Sequence, residues 1–513
     1  MSKPFQQLTH GGTLDVDEIQ YHTSFNYMFP LLAENPECLL SPGANTQAAL
    51  LALGTAMATD DPSMTTNDSP IPAVFTYLGQ FIDHDITAQT DREIGLSRIA
   101  TPDGNVMDLT PLDSKKVVAN LINGRRPELD LDHVYGDGPR LGTGPNLSMT
   151  EGDVLFDPTQ HLALRTASVP PGFDVPRQDD GTAIIADMRN NENLNISQLH
   201  CAFLLFNNKV ATALPAGLSD GARYITARKL VRWAYQYVVL NDYLRNVCDP
   251  LVVADVLTNG LRYYSPDYDQ TFMPLEFSIA AFRFGHSMIR PKYDLNATHN
   301  GATGLPLSTV LNVGGLLDAG TPRQLQAQYL IQWHNFAVIA PHPAPQKARK
   351  IDPLISADLG NLPFKLPGSG TIPAGPLLQH LARRNLLRAF LLSVPTGQAI
   401  ASAMDITHLT KAQLVDGVSP AIKSAIIAGG FDTATPLWYY ILQEAKFEHG
   451  GAFLGSVGSR IVAETLVGLV RRDRGSYLNH PNDPAVKPNG IEVAPGQVIG
   501  QIGDLLKFSG APL

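Results

Sequence analysis

F-T-Y-L-G-Q-F-I-D-H-D-I-T, residues 75–87, is the stretch on which the predicted fold depends. It is largely apolar, and its spacing predicts an α-helix, in which each residue is turned by about 100° from the last. Gln80 and His84 then share one face at positions i and i+4. Asp83 and Asp85 point to opposite flanks of the histidine. We therefore expect this helix to present polar groups in three separate directions.

Composition limits the kinds of partner. The chain has 513 residues, of which 44% are hydrophobic and 17% are charged, and its net charge is −10. This length suggests about three domains and allows a large buried core. The acidic balance argues against nucleic acid or an anionic membrane as the main partner. No stretch approaches about 18 uninterrupted apolar residues, so no membrane span is expected.

The cysteines and the N-terminus bear on localisation. Cys38, Cys201 and Cys248 form no C-x-x-C pair and leave an odd count. They predict buried free thiols rather than a disulfide framework, which is typical of a reducing compartment. The first residues contain no apolar segment of the kind found in secretory signals. These features predict a cytoplasmic protein or one that is exported by a non-classical route.

R-P-E-L-D-L-D-H-V-Y-G-D-G, residues 126–138, predicts a loop in which carboxylates converge. Asp130 and Asp132 alternate with apolar residues, and Gly136 and Gly138 follow them closely. Oxygen-rich loops of this kind suit a hard cation such as Ca²⁺. A solvated acidic turn has the same pattern, so the residues alone leave both interpretations open.

Helical patterns dominate the rest of the chain. Ser197 is expected to cap a nearly all-apolar helix that ends at Leu214. Another helix is expected to open at Pro274 and to end before Pro291. Further helices are predicted at residues 220–247, 375–389 and 436–470. The chain is therefore predicted to be mainly α-helical with little β structure, and residues 340–376 to be a long loop.

Two histidines on separate apolar helices predict a cofactor site. His286 follows Arg283 by three residues, so both lie on one face, and Gly285 lets a bulky group approach the backbone. An isolated imidazole beside a guanidinium suits an axial ligand to the iron of a planar anionic cofactor. His84, with Gln80 one turn before it, suits acid–base chemistry on the other side. Each histidine taken alone is more often an ordinary core residue, so that interpretation stays open.

Arg189 and Glu192 precede the most apolar helix of the chain. Opposite charges three residues apart commonly form an exposed ion pair worth roughly a few tenths of a kcal/mol. Their position before this helix instead predicts that they lie at a buried edge. No G-x-G-x-x-G follows a predicted strand and no G-x-x-x-x-G-K-[ST] occurs, so nucleotide binding is unsupported.

Five motifs occur in a fixed order along the chain. They are G-Q-F-I-D-H-D (79–85), L-D-L-D-H-V-Y-G (129–136), D-M-R-N-N-E (187–192), F-R-F-G-H-S-M-I (282–289) and A-R-R-N-L-L-R (382–388). In this order the chain resembles the animal-type haem peroxidases of the peroxidase–cyclooxygenase superfamily, in particular their bacterial branch. The resemblance implies a single large helical catalytic domain at residues 71–476. It also implies an N-terminal extension at 1–70, packed on this domain, and a C-terminal tail at 477–513.

The resemblance also implies catalytic roles. On the distal side, His84 would exchange the proton of H2O2, as expected of a group that titrates near neutrality. Arg189 would stabilise the charge that develops, and Gln80 would hold water or a halide. On the proximal side, His286 would bind the haem iron and Asn385 would accept its imidazole N–H.

The same resemblance implies which groups hold the cofactors. Arg283 and Arg388 would pair with the haem propionates. Asp83 and Glu192 match the two carboxylates that become ester-linked to haem methyl groups. The implied calcium ligands are Asp85, Asp130 and Asp132. Asn193 stands where one mammalian member has a methionine, so no sulfonium bond to haem is expected.

The implied activity is the reduction of H2O2 through a ferryl intermediate, in the response to oxidative stress. The electron donors would be small anions such as iodide, bromide and thiocyanate, or small aromatic molecules. A fatty-acid dioxygenase or cyclooxygenase of the same superfamily is one alternative, although those enzymes carry a tyrosine at the position of Arg283. A non-catalytic haem-binding protein is the other alternative.

Overall fold

A computed structural model describes residues 5–9, 12–16, 23–59, 68–91, 98–101, 105–136, 156–157, 163–164, 173–265, 271–362 and 376–513. Residues 137–138 of the acidic motif and 363–375 of the predicted long loop lie outside the described residues. Helices predominate over a few small sheets, so the predicted mainly α-helical fold is confirmed. Among the described helices, none is both long enough and apolar enough to cross a membrane.

The α-helices follow one another along the described chain, with short 3-10 turns between some of them. They are α1 (Pro30–Ala33), α2 (Ala44–Met57), α3 (Val74–Ile86), α4 (Ser114–Asn120), α5 (Asp132–Tyr135), α6 (Leu194–Ala213), α7 (Asp220–Val238), α8 (Leu244–Val247), α9 (Pro250–Asn259), α10 (Leu307–Val310), α11 (Pro376–Gln379), α12 (Leu381–Leu391), α13 (Gly397–Ala403), α14 (Pro420–Ala428), α15 (Leu437–His449), α16 (Ser456–Arg472) and α17 (Ile502–Ser509).

The strands are short. They are β1 (Phe5–Thr9), β2 (Gly12–Val16), β3 (Thr23–Asn26), β4 (Asp68–Pro72), β5 (Gln89–Asp91), β6 (Leu121–Asn123), β7 (Phe156–Asp157), β8 (Ala163–Leu164), β9 (Phe272–Pro274), β10 (Lys292–Tyr293), β11 (Leu305–Pro306), β12 (Lys347–Arg349), β13 (Val486–Lys487), β14 (Gly490–Ala494) and β15 (Gln497–Ile499).

Helix α3 is the predicted helix of residues 75–87, and every residue in it except Gln80 is buried. Phe81 stacks on Phe203 of α6, with ring centroids 4.4 Å apart. Gly79 is required by the close approach of Tyr243, because a Cβ at this position would lie 2.5 Å from the tyrosine hydroxyl. A helix buried in this way must pair each polar side chain with protein or with a ligand.

Helix α6 begins before the predicted start, so the predicted boundary was wrong. Asn193 is its N-cap, and the Asn193 side chain accepts a hydrogen bond of 2.9 Å from the backbone of Ile196. Ser197, the predicted cap, is instead 1% exposed within the helix. Because asparagine and serine are equally good N-caps, local sequence alone does not distinguish the two starts.

The segment before His286 is less regular than the predicted helix. Residues Glu276–Ala280 form a π-helical turn and Ala281–His286 form a 3-10 helix. At the junction, Ala280 has φ −127° and ψ −67°, which lies outside the α-helical region. The Glu276 carboxylate is buried and accepts hydrogen bonds from the backbone of Met28 and Phe29, at 2.7 and 3.0 Å. This segment is thereby attached to the N-terminal part of the chain.

Both ends of the chain contribute ordered structure that the sequence pattern did not indicate. Strand β3 pairs in parallel with β9, with Phe25 opposite Met273, in a sheet of order β2-β1-β5-β6-β3-β9. Strands β13, β14 and β15 form an antiparallel sheet, and α17 packs on α6. The predicted division at residues 70 and 476 stays a prediction.

The remaining helix predictions were right in position but too continuous. Residues 220–247 form α7 and α8, joined by a π-helical turn at Val239–Tyr243. Residues 436–470 are divided between α15 and α16, and 375–389 between α11 and α12.

Candidate active site

A cavity of about 430 Å³ is lined by residues of α3, of the turn Ala281–His286 and of the segment before α6. Six side chains singled out from the sequence line it: Gln80, Asp83, Arg189, Glu192, Arg283 and His286. The wall is otherwise largely apolar and includes Met188, Ile289, Leu307, Leu311 and Val313. A cavity of this size, with a few convergent polar groups in an apolar wall, is typical of a cofactor or ligand site.

His84 is fully buried and is not among the residues that line the cavity, although Gln80, one turn earlier, is. Its Nδ1 atom lies 2.8 Å from Oδ1 of Asn190. The Nδ2 atom of Asn190 lies 2.9 Å from Nδ1 of His200. Burial, and then His133, lowers the pKa of His200 to about 3, so this ring is neutral. Because the amide of Asn190 is uncharged, His84 has a neutral hydrogen-bond partner at Nδ1.

Arg189 is fixed by Asp187 and by the end of α3. Its Nε and Nη2 atoms donate to the two carboxylate oxygens of Asp187, at 3.0 and 2.6 Å. Its Nη1 atom donates to the carbonyl oxygen of Thr87 at 2.7 Å, and Nη2 also donates to the carbonyl oxygen of His84 at 2.9 Å. Burial alone would raise the pKa of Asp187, but Arg189 and Arg125 lower it well below its usual value. Asp187 is therefore an ionised carboxylate between two guanidinium groups.

Asp83 and Asp85 point in opposite directions, as the helix spacing predicted. Oδ2 of Asp83 lies 3.0 Å from Nη1 of Arg283, and its Oδ1 accepts a hydrogen bond of 2.8 Å from the Thr87 hydroxyl. On the other side of α3, Oδ1 of Asp85 lies 2.9 Å from Nδ1 of His133. The predicted directions are confirmed, and the chemical roles of the two carboxylates stay predictions.

His286 lies at the end of its 3-10 turn, with 8% of its surface exposed. Its Nδ1 atom is 3.0 Å from the amide nitrogen Nδ2 of Asn385 on α12, so Asn385 donates here instead of accepting as the resemblance implied. Rotation of this amide by 180° would let its oxygen accept from Nδ1 and leave the lone pair that binds iron on Nε2. A Cβ at the neighbouring Gly285 would meet no atom of the described residues within 4 Å. The backbone beside the histidine is therefore open to a bulky group, as the sequence predicted.

Arg388, Glu192 and Arg283 all interact electrostatically with Arg384. Arg384 is 2% exposed, and its Nε and Nη1 atoms have no hydrogen-bond partner among the described residues. Burial, and then the neighbouring Arg388, lowers the pKa of Arg384 to about 9, while Glu192 and Arg283 also act on it. Buried guanidinium donors without partners are costly. This cluster therefore suits an anionic group, and the carboxylates of a haem fit it.

The predicted calcium ligands Asp85 and Asp132 form a buried group with His133. One ligand atom from each of the three lies within 4.8 Å of the other two. Oδ1 of Asp132 lies 3.3 Å from Nη1 of Arg125, whereas its Oδ2 is buried without a hydrogen-bond partner among the described residues. Burial, and then Asp130, raises the pKa of Asp85 well above its usual value. The carboxylate oxygens thus fit a cation, whereas the histidine is not a typical calcium ligand.

Asn193, named from the sequence only because it replaces a methionine, donates a hydrogen bond of 3.1 Å to Oε1 of Gln80. The residues of the site that were not singled out from the sequence are Arg125, His133, Asp187, Asn190, His200 and Arg384. Most of them lie inside the quoted motifs, and this position was the signal by which the sequence could have identified them. Their contacts, however, join distant parts of the chain, which the sequence pattern does not show.

A serine motif lies apart from this site. Residues 217–221 have the G-x-S-x-G spacing of hydrolase nucleophiles. Ser219, however, is the exposed N-cap of α7 and accepts a hydrogen bond of 3.3 Å from the backbone of Ala222. It follows α6 rather than a strand, so it caps a helix and does not form a nucleophile elbow.

Comparison with known proteins assigns the family. The sequence profile of the animal haem peroxidases matches residues 55–332, which is more than half of the chain. The protein therefore belongs to the animal haem peroxidase family. Thyroid peroxidase from Canis lupus familiaris is 29% identical over 326 residues, which are 60% of this chain and 32% of that protein. The human thyroid peroxidase is 31% identical over 194 residues, 33% of this chain and 20% of that protein.

A third relative is a peroxidase-like protein of Margaritifera margaritifera, 24% identical over 46% of this chain and 33% of that protein. The aligned part of the chain thus spans about a third or less of the length of these relatives. In fold, the chain is similar to peroxidase A from Dictyostelium discoideum, with a TM-score of 0.62, 16% identity and coverage of 100% and 98% of the two chains. A fatty acid alpha-dioxygenase of Oryza sativa has a TM-score of 0.55, 14% identity and coverage of 91% and 82%.

The open backbone at Gly285 leads to a prediction about cofactor uptake. Gly285→Leu should fold normally, because no protein atom lies within 4 Å of the new Cβ, but its side chain should obstruct haem. We expect haem affinity, measured by Soret titration, to fall at least about tenfold, which corresponds to about 1.4 kcal/mol. Gly217→Leu is the matched control, because Gly217 is exposed and equally unobstructed. Unchanged affinity in the Gly285 variant would place the cofactor elsewhere.

Proposed function

We propose that this protein is a haem-dependent peroxidase that reduces H2O2 and oxidises small electron donors. The observation that carries the proposal is a pair of buried histidines, each hydrogen-bonded to an asparagine amide, on two elements that line one cavity. These pairs are His84 with Asn190 and His286 with Asn385. Membership of the animal haem peroxidase family supports haem as the cofactor.

In this proposal the two histidines have different tasks. His286 supplies the iron ligand through Nε2, with its other nitrogen hydrogen-bonded to Asn385. Bound haem would supply the redox chemistry of its iron. His84 takes a proton from the peroxide and returns it to the departing oxygen. Arg189, which is fixed by Asp187, stabilises the negative charge that develops during bond cleavage.

The cofactor would be held by charge and by covalent bonds. Arg283, Arg384 and Arg388 are the proposed partners of the haem propionates, and the unpaired donors of Arg384 support this assignment. Asp83 and Glu192, which line the cavity, are the proposed ester-forming carboxylates. Because Asp83 pairs with Arg283 at 3.0 Å, neutralising Asp83 by esterification would release Arg283 to bind a propionate.

The proposed donors are small aromatic molecules, with small anions such as iodide, bromide or thiocyanate as a weaker class. Met188 is 43% exposed and Leu311 is half-buried at the cavity, so part of its opening is apolar. Apolar walls favour aromatic molecules over strongly hydrated anions. A lower KM for a phenol than for iodide would support this order, and the reverse would contradict it.

A fatty-acid dioxygenase is the second candidate, because the chain shares its fold with the alpha-dioxygenase of Oryza sativa. In the resembling oxygenases a tyrosine takes the position of Arg283. Here Arg283 forms an ion pair with Asp83, which supports the peroxidase. Oxygenation of linoleate without added peroxide would favour the oxygenase instead.

The first prediction from this proposal concerns peroxide. In haem-loaded protein, H2O2 should shift the Soret band within seconds and start donor oxidation. His84→Ala and Arg189→Ala should each slow the reaction with peroxide by about 10²-fold or more, the range for lost acid–base or electrostatic catalysis. Stopped-flow absorbance at equal haem occupancy provides the measurement. Full-rate reaction in both variants would exclude these residues from the chemistry.

The second prediction concerns covalent haem. After treatment with H2O2, acidified organic solvent should fail to extract haem from the wild-type protein. Mass analysis should show a haem-bearing peptide at Asp83 and another at Glu192. The double variant Asp83→Ala, Glu192→Ala should release all of its haem. Complete extraction from peroxide-treated wild-type protein would contradict the ester assignment without affecting the peroxidase assignment.

The third prediction concerns calcium, which we propose is bound by Asp85, Asp130 and Asp132. Removal of Ca²⁺ by a chelator should lower the free energy of unfolding by about 2–3 kcal/mol, the stabilisation expected at roughly 100 times the dissociation constant. Asp132→Asn should abolish the difference between chelated and calcium-saturated protein. Elemental analysis should give one Ca²⁺ per chain. If neither calcium nor the stability difference is found, Arg125 and His133 neutralise the carboxylates instead.

A further inference from the structure

The hydrogen bond between His84 and Asn190 has a direction that can be deduced. The two atoms that meet are Nδ1 of His84 and Oδ1 of Asn190, at 2.8 Å, and both residues are 0% exposed. An amide oxygen is only an acceptor, so Nδ1 of His84 must be the donor. In the neutral ring the proton is then on Nδ1, and Nε2, on the opposite edge, carries the lone pair.

His200 contacts the other edge of the Asn190 amide. Nδ2 of Asn190 lies 2.9 Å from Nδ1 of His200, which is also 0% exposed. In this orientation the amide donates, and the neutral His200 ring accepts at Nδ1. Rotation of the amide by 180° would require both rings to exchange tautomers, with His200 donating and His84 accepting at Nδ1. A His200 ring that accepts at Nδ1 thus favours the orientation in which the oxygen of Asn190 faces His84.

His84, Asn190 and His200 are surrounded by charged and titratable groups from several elements. Asp187 acts electrostatically on both His84 and His200, and Arg189 binds the carbonyl oxygen of His84 at 2.9 Å. The ring of His133 lies edge-on to His200, at 6.4 Å between centroids. The remaining neighbours are Asp83 and Asp85 on α3 and Arg125 beyond Asp187.

We propose that Asn190 is a positioning residue that holds His84 as the Nδ1–H tautomer, and that His200 locks the amide of Asn190 in the required orientation. This inference rests on the proposed function in one respect, because it assigns to Nε2 of His84 the task of accepting the proton of H2O2. Only a ring with an unprotonated Nε2 can accept that proton without first changing its tautomer. Asn190 thus sets the fraction of neutral His84 that is in the competent tautomer.

Two variants separate positioning from simple support. Asn190→Leu removes the acceptor at similar volume, so the tautomer is no longer fixed, and the rate with H2O2 should fall about tenfold or more. Asn190→Asp keeps an acceptor at Nδ1 of His84, so Nδ1 should stay protonated and the rate should fall less than in Asn190→Leu. The KM of the electron donor should stay unchanged in both variants.

The decisive readout does not require turnover. In cofactor-free protein with 15N-labelled histidine, wild-type His84 should show a protonated Nδ1 and an unprotonated Nε2 near neutral pH. Asn190→Leu should show a mixture of tautomers, whereas Asn190→Asp should keep Nδ1 protonated. The matched control is Asn191→Asp, because Asn191 is in the same turn but its Oδ1 accepts from Arg177, at 3.2 Å. It should leave the His84 tautomer as in the wild-type protein.

The outcomes distinguish this inference from the proposed function. A wild-type Nδ1–H signature that persists in Asn190→Leu, or an unprotonated Nδ1 in Asn190→Asp, would overturn the inference. If haem-loaded wild-type protein fails to react with H2O2, the proposed function falls, whereas the tautomer measurement still tests Asn190. If Asn190→Leu does not fold, the smaller Asn190→Ala variant takes its place in the tautomer measurement.

Discussion

The ion pairs of Asp187 are the interaction on which the candidate site depends. This buried carboxylate binds Arg189 at the cavity and also pairs with Arg125, which in turn reaches Asp132 at 3.3 Å. Removing one partner from such a network leaves uncompensated buried charge, which costs about 3–5 kcal/mol. The acidic loop and the cavity wall are therefore parts of one electrostatic unit, and neither can be rearranged alone.

The same constraint explains helix α3. Polar side chains on a buried helix are costly without partners, and three of those on α3 each meet a different element. Asp83 meets Arg283 from the segment before His286, Asp85 meets His133 of α5, and His84 meets Asn190. Helix α3 thereby connects the two walls of the cavity and the acidic loop. The positions of Asp83, His84 and Asp85, which a haem peroxidase would require, thus follow from the partners that neutralise or hydrogen-bond these side chains.

The directions of the α3 side chains could be predicted because they depend only on helical spacing within a few residues. The partners could not be predicted, because His84 and Asn190 are 106 residues apart and no local rule joins them. The resemblance to the family named Arg189, His286 and Asn385, but it gave no role to Asn190, His200 or Arg384. The helix expected before His286 was wrong in type, since the break at Ala280 depends on tertiary contacts of the Glu276 segment. Strand β3 was missed because its partner β9 lies about half of the chain away.

We propose that one haem occupies this cavity, with His286 as its iron ligand and His84 as its acid–base group. The family and the open backbone at Gly285 support this proposal, and the unpaired donors of Arg384, which lies behind the cavity wall, suit an anionic group. The most direct test is a crystal structure of the haem-loaded protein at a resolution that defines the iron ligands. We expect iron bound by Nε2 of His286, with His84 on the opposite face and not coordinated. Iron bound by His84, or haem bound outside this cavity, would contradict the account.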